Sequence, residues 1–203
     1  MPLTPESSWR ALASAMAAGL LLTLVTGCGT ADVPEASART ASPAARSPEA
    51  EAEAHKAPAP TRLTVPSLGI DSTLLRLGLN EDGTVEVPSA EQGMTAGWYA
   101  GGAVPGEPGA AVLIGHNDTR FGKAVFHDLH SIAEGAEIVV SDGAGGTSRF
   151  AVTGTETVSK NAFPTEKVYG ATGERVLRLV TCDGAFDADG HPVDNLIVYA
   201  ALR

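Results

Sequence analysis

Apolar and polar positions divide the chain into three stretches. No charge occurs from Ala11 to Ala31, and the run ALASAMAAGLLLTLVTG over residues 11–27 comes after Arg10, the only basic residue before it. A basic start followed by an apolar run is the pattern of an export segment. Gly29–Pro60 then holds 11 Ala and 5 Pro, no aromatic residue, and Val33 as its only branched aliphatic side chain. Such a stretch buries too little apolar area to offset its ordering entropy, so residues 29–60 are expected to be a disordered tether. From residue 61 onward, short apolar or alternating runs recur between turn signals. They predict strands over Arg62–Pro66, Thr73–Leu79, Thr84–Val87, Thr95–Tyr99, Ala111–His116, Ala136–Ser141, Arg149–Val158, Arg175–Cys182 and Asn195–Leu202. Turns are marked by Glu81-Asp82-Gly83, Pro105-Gly106, Asp142-Gly143 and Gly170–Gly173. Only Lys123–Ala133 and Pro164–Tyr169 read as helical. Residues 61–203 are thus expected to form one all-β domain with short helices, either a closed barrel or a sandwich.

Charge narrows the function classes. The chain carries 14 Lys plus Arg against 24 Asp plus Glu, a formal charge of −10. A protein that tracks nucleic-acid phosphates needs clustered cations to displace counterions, so no nucleic-acid partner is expected. Residues 61–203 hold ten of the basic and eighteen of the acidic side chains. This domain should therefore not adhere electrostatically to an anionic membrane or wall, and its location would depend on the front of the chain.

Two cysteines are too few for a disulfide framework and are read separately. Cys28 ends the run Val25-Thr26-Gly27-Cys28. This resembles the bacterial lipobox, in which small residues allow cleavage before a cysteine that receives a diacylglyceryl group. Residues 1–28 are thus either a lipoprotein signal with Cys28 as the lipid-bearing residue or an uncleaved signal anchor. Both readings attach the protein to a membrane and export the tether and the β domain to its outer face, in the cell-wall region. Cys182 closes the apolar run Val176–Cys182, as His116 closes Ala111–His116. A strand apolar on both faces is buried on both, so its end is rigidly placed at the rim of the core. Rigid placement suits a nucleophile and its acid–base partner, and a thiol beside an imidazole is a nucleophilic pair. A free cysteine taken alone is equally at home as a buried apolar residue.

The flanking residues carry a resemblance. Leu179-Val180-Thr181-Cys182 resembles the Thr-Leu-x-Thr-Cys signature of sortases, the cysteine transpeptidases of Gram-positive cell surfaces, with Arg178 where the first Thr usually stands. Gly115-His116-Asn117-Asp118 is similar to the sortase histidine segment. The likeness extends through Val65–Asp71, Glu86–Pro88, Ala96–Tyr99, Pro105–Gly109 and Asp194–Ala200, and is nearest to the class F group of actinobacteria. It implies a closed eight-stranded β-barrel and a two-step acyl transfer. Cys182 would attack the Thr–Gly carbonyl of a Leu-Pro-x-Thr-Gly sorting signal and form a thioester. His116 would protonate the leaving amine and deprotonate the incoming one, an amine of a peptidoglycan precursor. Sortases also carry an arginine on the last strand that supports the oxyanion, and alignment puts Asn195 there. An amide donates a hydrogen bond without charge, and charge-assisted bonds are roughly twice as strong. Arg178, four residues before Cys182 on the same strand face, is the other candidate, with its Cα roughly 13 Å away. A barrel that binds its peptide but has lost activity, a sortase-like lipoprotein acting as a binding module, is the alternative that Asn195 motivates.

The remaining patterns point to no cofactor. His127 and His130 stand three apart without the cysteines or carboxylates of a metal motif and are expected on a solvated helix face; His191 is expected in an exposed loop. Asp142–Gly146 lacks the Gly-Lys-Ser/Thr of a phosphate loop, and no Ca²⁺-loop pattern occurs. Asn161–Tyr169 carries the apolar residues Ala162, Phe163, Val168 and Tyr169. They suit either a wall of the groove for the Leu-Pro part of the signal or a helix packed on the barrel.

Overall fold

The computed structural model describes residues 57–186, 188 and 192–203. The expected membrane segment, Cys28, most of the tether and His191 lie outside the described residues. Ten strands are present: β1 (Pro60–Val65), β2 (Ile70–Leu77), β3 (Ala96–Tyr99), β4 (Gly109–Ile114), β5 (Asp118–Thr119), β6 (Gly122–Lys123), β7 (Glu137–Asp142), β8 (Thr147–Ser159), β9 (Arg175–Phe186) and β10 (Pro192–Leu202). Eight of them close into a barrel in the order β1-β2-β3-β4-β9-β10-β8-β7, while β5 and β6 form a separate two-stranded ribbon. The expected all-β architecture and closed eight-stranded barrel are therefore present.

Strand alternation sorts side chains between the barrel interior and its outer wall. Leu63, Trp98, Leu113, Phe150, Leu177, Leu179 and Val198 belong to the interior cluster. On the outer wall, Val112 and Ile114 of β4, Val180 of β9 and Ile197 of β10 form a second cluster with Leu77 and Val168. Val168 belongs to helix α1 (Thr165–Tyr169), the one α-helix among the described residues. Its cover explains why β4 and β9 are apolar on both faces: one face fills the barrel and the other seats α1.

Two expected elements differ from what is found. Lys123–Ala133 is not a helix; within it only Leu129–Ser131 forms a single 3-10 turn. Its apolar spacing imitates an amphipathic helix because Val125, Phe126, Leu129 and Ile132 all enter the interior cluster. The backbone donors go elsewhere: Ala124 N–H bonds Asn117 O, Val125 N–H bonds Gly93 O and Phe126 N–H bonds His116 O, each at 2.9 Å. Thr84–Val87 forms no strand either and contributes an isolated bridge between Leu79 and Val85. Glu86 spends its backbone N–H on Gly78 O at 3.1 Å and its carboxylate on Gly78 N–H at 2.5 Å, which ties the loop to the end of β2.

Candidate active site

One of the two parallel pairings in the barrel makes the site. β4 and β9 run parallel, with Val112 opposite Arg178 and Ile114 opposite Val180. Both strands therefore run the same way, and His116, two residues past the end of β4, lines the same two cavities as Cys182. Gly115 N–H continues the ladder to Val180 O at 3.2 Å. On the other side of β9, antiparallel β10 places Asn195 directly opposite Cys182. Directly paired residues share a face with Cβ atoms about 5 Å apart. Cys182 thus stands between an imidazole and an amide, and it is neither fully buried nor fully exposed.

The histidine is held by its surroundings. Nε2 of His116 lies 2.6 Å from the carbonyl oxygen of Pro88. A carbonyl only accepts, so Nε2 carries the hydrogen and Nδ1 is the ring nitrogen left for proton exchange. Asn117 Nδ2 donates to the Cys182 carbonyl at 3.2 Å, tying the histidine loop to the cysteine strand. Before the histidine, Gly115 allows close packing: a Cβ there would lie 2.7 Å from both Phe126 Cδ2 and Val125 Cγ1.

Two cavities meet at this pair. One, of about 710 Å³, is walled by Val85, Val87, Tyr99, Ile114, Phe163, Tyr169 and Val180 and includes His116, Lys160, Thr181, Cys182 and Asn195. Tyr169 packs edge-on against Tyr99, with ring centroids 5.7 Å apart, and its burial pushes the phenol up from its ordinary pKa. The second, of about 630 Å³ and lined mostly by polar residues, contains His116, Lys160 and Cys182 again, with Asn117, Asp118, Arg120 and Asp183. Asp118 accepts from His127 Nδ1 at 3.0 Å, so His127 braces the ribbon from within the segment expected to be helical. Asp183 accepts from Thr157 Oγ1 at 3.0 Å. Of the Asn161–Tyr169 segment, Phe163 and Tyr169 line the apolar cavity while Val168 packs on the barrel.

Arg178 sits elsewhere. It shares the outer face with Cys182, but Val180 intervenes and Val168 of α1 packs among Val180 and Ile197. Arg178 lines a separate cavity of about 520 Å³ with Glu156, Lys167 and Tyr199. Its guanidinium carbon lies 4.8 Å from the Tyr199 ring centroid, on a ring that Lys167 Nζ also approaches at 4.4 Å. Arg178 Nε and Thr181 Oγ1 are buried without a hydrogen-bond partner among the described residues. Desolvation lowers the Arg178 pKa below its ordinary value.

Lys167 of α1 also bonds the Glu156 carboxylate, which accepts from Tyr199 Oη at 2.9 Å. The Lys167 bond, then the Tyr199 bond, hold the Glu156 carboxyl below the usual carboxylate range. A carboxyl depressed by folding contributes stability above its unfolded pKa of about 4.3 and loses it as pH falls through the lower folded value. Carboxyl NMR titration of Glu156 is expected to show a midpoint below that of an ordinary glutamate, and Lys167→Met should move it back up. A midpoint that Lys167→Met leaves unmoved would contradict this account of the clasp on α1.

The sortase-domain family model matches residues 63–203, the barrel except for the first three residues of β1. The chain belongs to the sortase family. It is a cysteine transpeptidase, and such enzymes act on sorting-signal peptides and cell-wall amines at the cell surface. Solved structures share the sortase fold. Sortase C-1 from Actinomyces oris is 21% identical with a TM-score of 0.56, over 78% of this chain and 81% of that one. Sortase A from Corynebacterium diphtheriae is 18% identical with a TM-score of 0.56, over 73% of this chain and 62% of that one. Sortase C1 from Streptococcus agalactiae is 19% identical with a TM-score of 0.56, over 70% and 66%. No curated protein matches the chain. The sequence-level candidates Cys182, His116 and Asn195 line one cavity, and Arg178 lines another. Lys160, which lines both cavities around Cys182, was not among the candidates. It stands 22 residues before the cysteine, just past the end of β8, and no motif singles it out.

Proposed function

We propose that this sortase is class F-like and cleaves a Leu-Pro-x-Thr-Gly-type signal. Cys182 sulfur attacks the Thr carbonyl carbon, the C–S bond forms, and the Thr–Gly C–N bond breaks. Nδ1 of His116 takes the Cys182 thiol proton, gives it to the departing glycine amine, and later takes one from the incoming amine and returns it to the released sulfur. That amine displaces the Cys182 sulfur and restores the enzyme. The class assignment rests on the segments around His116 and Cys182 and on Val65–Asp71, Glu86–Pro88 and Asp194–Ala200. The single observation that carries the mechanism is that His116 and Cys182 lie together where an apolar and a polar cavity meet. The apolar cavity suits the Leu-Pro part of the signal. The polar one, with Asp118 and Asp183, suits an acceptor that arrives as an ammonium.

The chain is exported and membrane-attached in this reading, through an acylated Cys28 or an uncleaved anchor, with residues 29–60 as the tether. Mass spectrometry of the mature N-terminus separates these: acyl mass on Cys28 favours the first and an intact Met1 the second. A barrel that binds the signal without cleaving it is the second reading, favoured by Asn195 standing opposite Cys182. Incubating the full-length chain in detergent with a Leu-Pro-x-Thr-Gly peptide and a primary amine decides between them. The expected result is cleavage after Thr with amine joined to its carbonyl; binding with no cleavage would sink the class F enzyme reading.

A further inference from the structure

We propose that Lys160 is a catalytic residue of this site, its ammonium stabilising the negative charge that develops on the substrate carbonyl oxygen. The inference rests on the acyl-transfer reading above. When Cys182 sulfur adds to the Thr carbonyl, the carbon becomes tetrahedral and its oxygen takes a full negative charge, which the bond-breaking step returns. A positive group placed at that oxygen before the reaction begins lowers the barrier most, because it need not reorganise.

The apolar cavity offers one such group. Apart from the titratable His116, Lys160 is the only charged side chain among the described residues lining it. It lines the polar cavity as well, so it is positioned where both substrates must meet Cys182. The topology accounts for this placement. β8 pairs with β10 and β10 with β9, with Val158 opposite Asn195 and Asn195 opposite Cys182. Two strand spacings amount to about 10 Å. Lys160 begins the 3-10 turn at the end of β8, where the Ser159 side chain accepts from Asn161 N–H and turns the chain. Lys160 is exposed there, and its flexible four-carbon stem gives the ammonium the reach to meet a substrate bound in either cavity. Among the described residues Lys160 makes no ion pair, whereas Arg120, the other cation of the polar cavity, is paired with Glu91. The peptide that fills the apolar cavity excludes water from the same spot, which strengthens the attraction. Lys160 gives up no proton in this role. His116 handles the proton transfers, and the Asn195 amide is left as a neutral donor on the opposite flank of Cys182.

The test monitors acylation of the full-length chain in detergent by a Leu-Pro-x-Thr-Gly peptide, using single-turnover kinetics. Lys160→Met is expected to slow thioester formation about a hundredfold, the loss typical of one oxyanion donor, with KM and melting temperature little changed. Lys160→Arg, which keeps the charge, should restore most of the rate. Lys123→Met controls for the loss of one surface charge and should match the parent. Equal acylation rates in Lys160→Met and the parent would overturn the proposal while leaving the enzyme reading intact, as would a Lys160→Met defect confined to KM. A parent chain that binds peptide but forms no thioester would overturn both.

Discussion

Cys182→Ala is expected to abolish transfer of a Leu-Pro-x-Thr-Gly peptide to an amine, leaving only the background rate, and His116→Ala to reduce it by about 10²–10⁴-fold. The two losses have different origins. Without the sulfur no acyl-enzyme can form, so neither cleavage nor transfer has a route. Without the imidazole the sulfur remains, but the departing glycine amine must leave without a proton and the acceptor must lose its own to water. Because Cys182 and His116 are only partly buried and belong to neither core cluster, neither substitution removes core packing. Melting temperatures of both variants should therefore stay close to that of the parent. Peptide transfer resolved by chromatography checks the activities. Transfer by Cys182→Ala at the parental rate would place the nucleophile elsewhere.

The second large effect is structural. Phe126→Ala is expected to destabilise the domain by about 3–5 kcal/mol, a large share of the 5–15 kcal/mol that holds a typical domain together. Phe126 is fully buried, belongs to the interior cluster, and packs where a Cβ on Gly115 would strike its ring. Its backbone N–H also bonds His116 O, so the residue joins the core to the catalytic loop. Gly115→Ala probes the same contact from the other side. The added methyl must push back Phe126 or Val125, at a cost of about 1–3 kcal/mol, and any shift moves His116. Thermal or urea unfolding of both variants, with transfer assays on whatever stays folded, checks this. A Phe126→Ala protein as stable as the parent would contradict the packing described here.

Much of this was legible in the chain, for a physical reason. β4 and β9 read as continuous apolar runs because the interior takes Leu113, Leu177 and Leu179 while α1 covers Val112, Ile114 and Val180. Apolar runs of that kind end where the core ends, which is why His116 and Cys182 stood out as reactive side chains, although β9 itself continues past Cys182 to Phe186. Segment 123–133 misled because its residues that enter the interior cluster fall at the same spacing as residues on one face of a helix. Only the partners of its backbone donors, on residues 93, 116 and 117, tell the two apart. The place of Arg178 was half legible. Alternation gives its face, but the helix that parts it from Cys182 is set by tertiary packing on Val180 and Ile197. Lys160 was invisible for a related reason. Its proximity to Cys182 is carried by the β8-β10-β9 order, which brings together residues far apart along the chain.

The most direct measurement of the central claim is the intact mass of the chain after brief mixing with a Leu-Pro-x-Thr-Gly peptide and acid quenching in the absence of added amine. The expected result is a mass increase equal to the peptide truncated after Thr less one water, mapped to Cys182, discharged by hydroxylamine and absent from Cys182→Ala. A parent chain that cleaves the peptide with no adduct at Cys182, or an adduct that persists in Cys182→Ala, would contradict it.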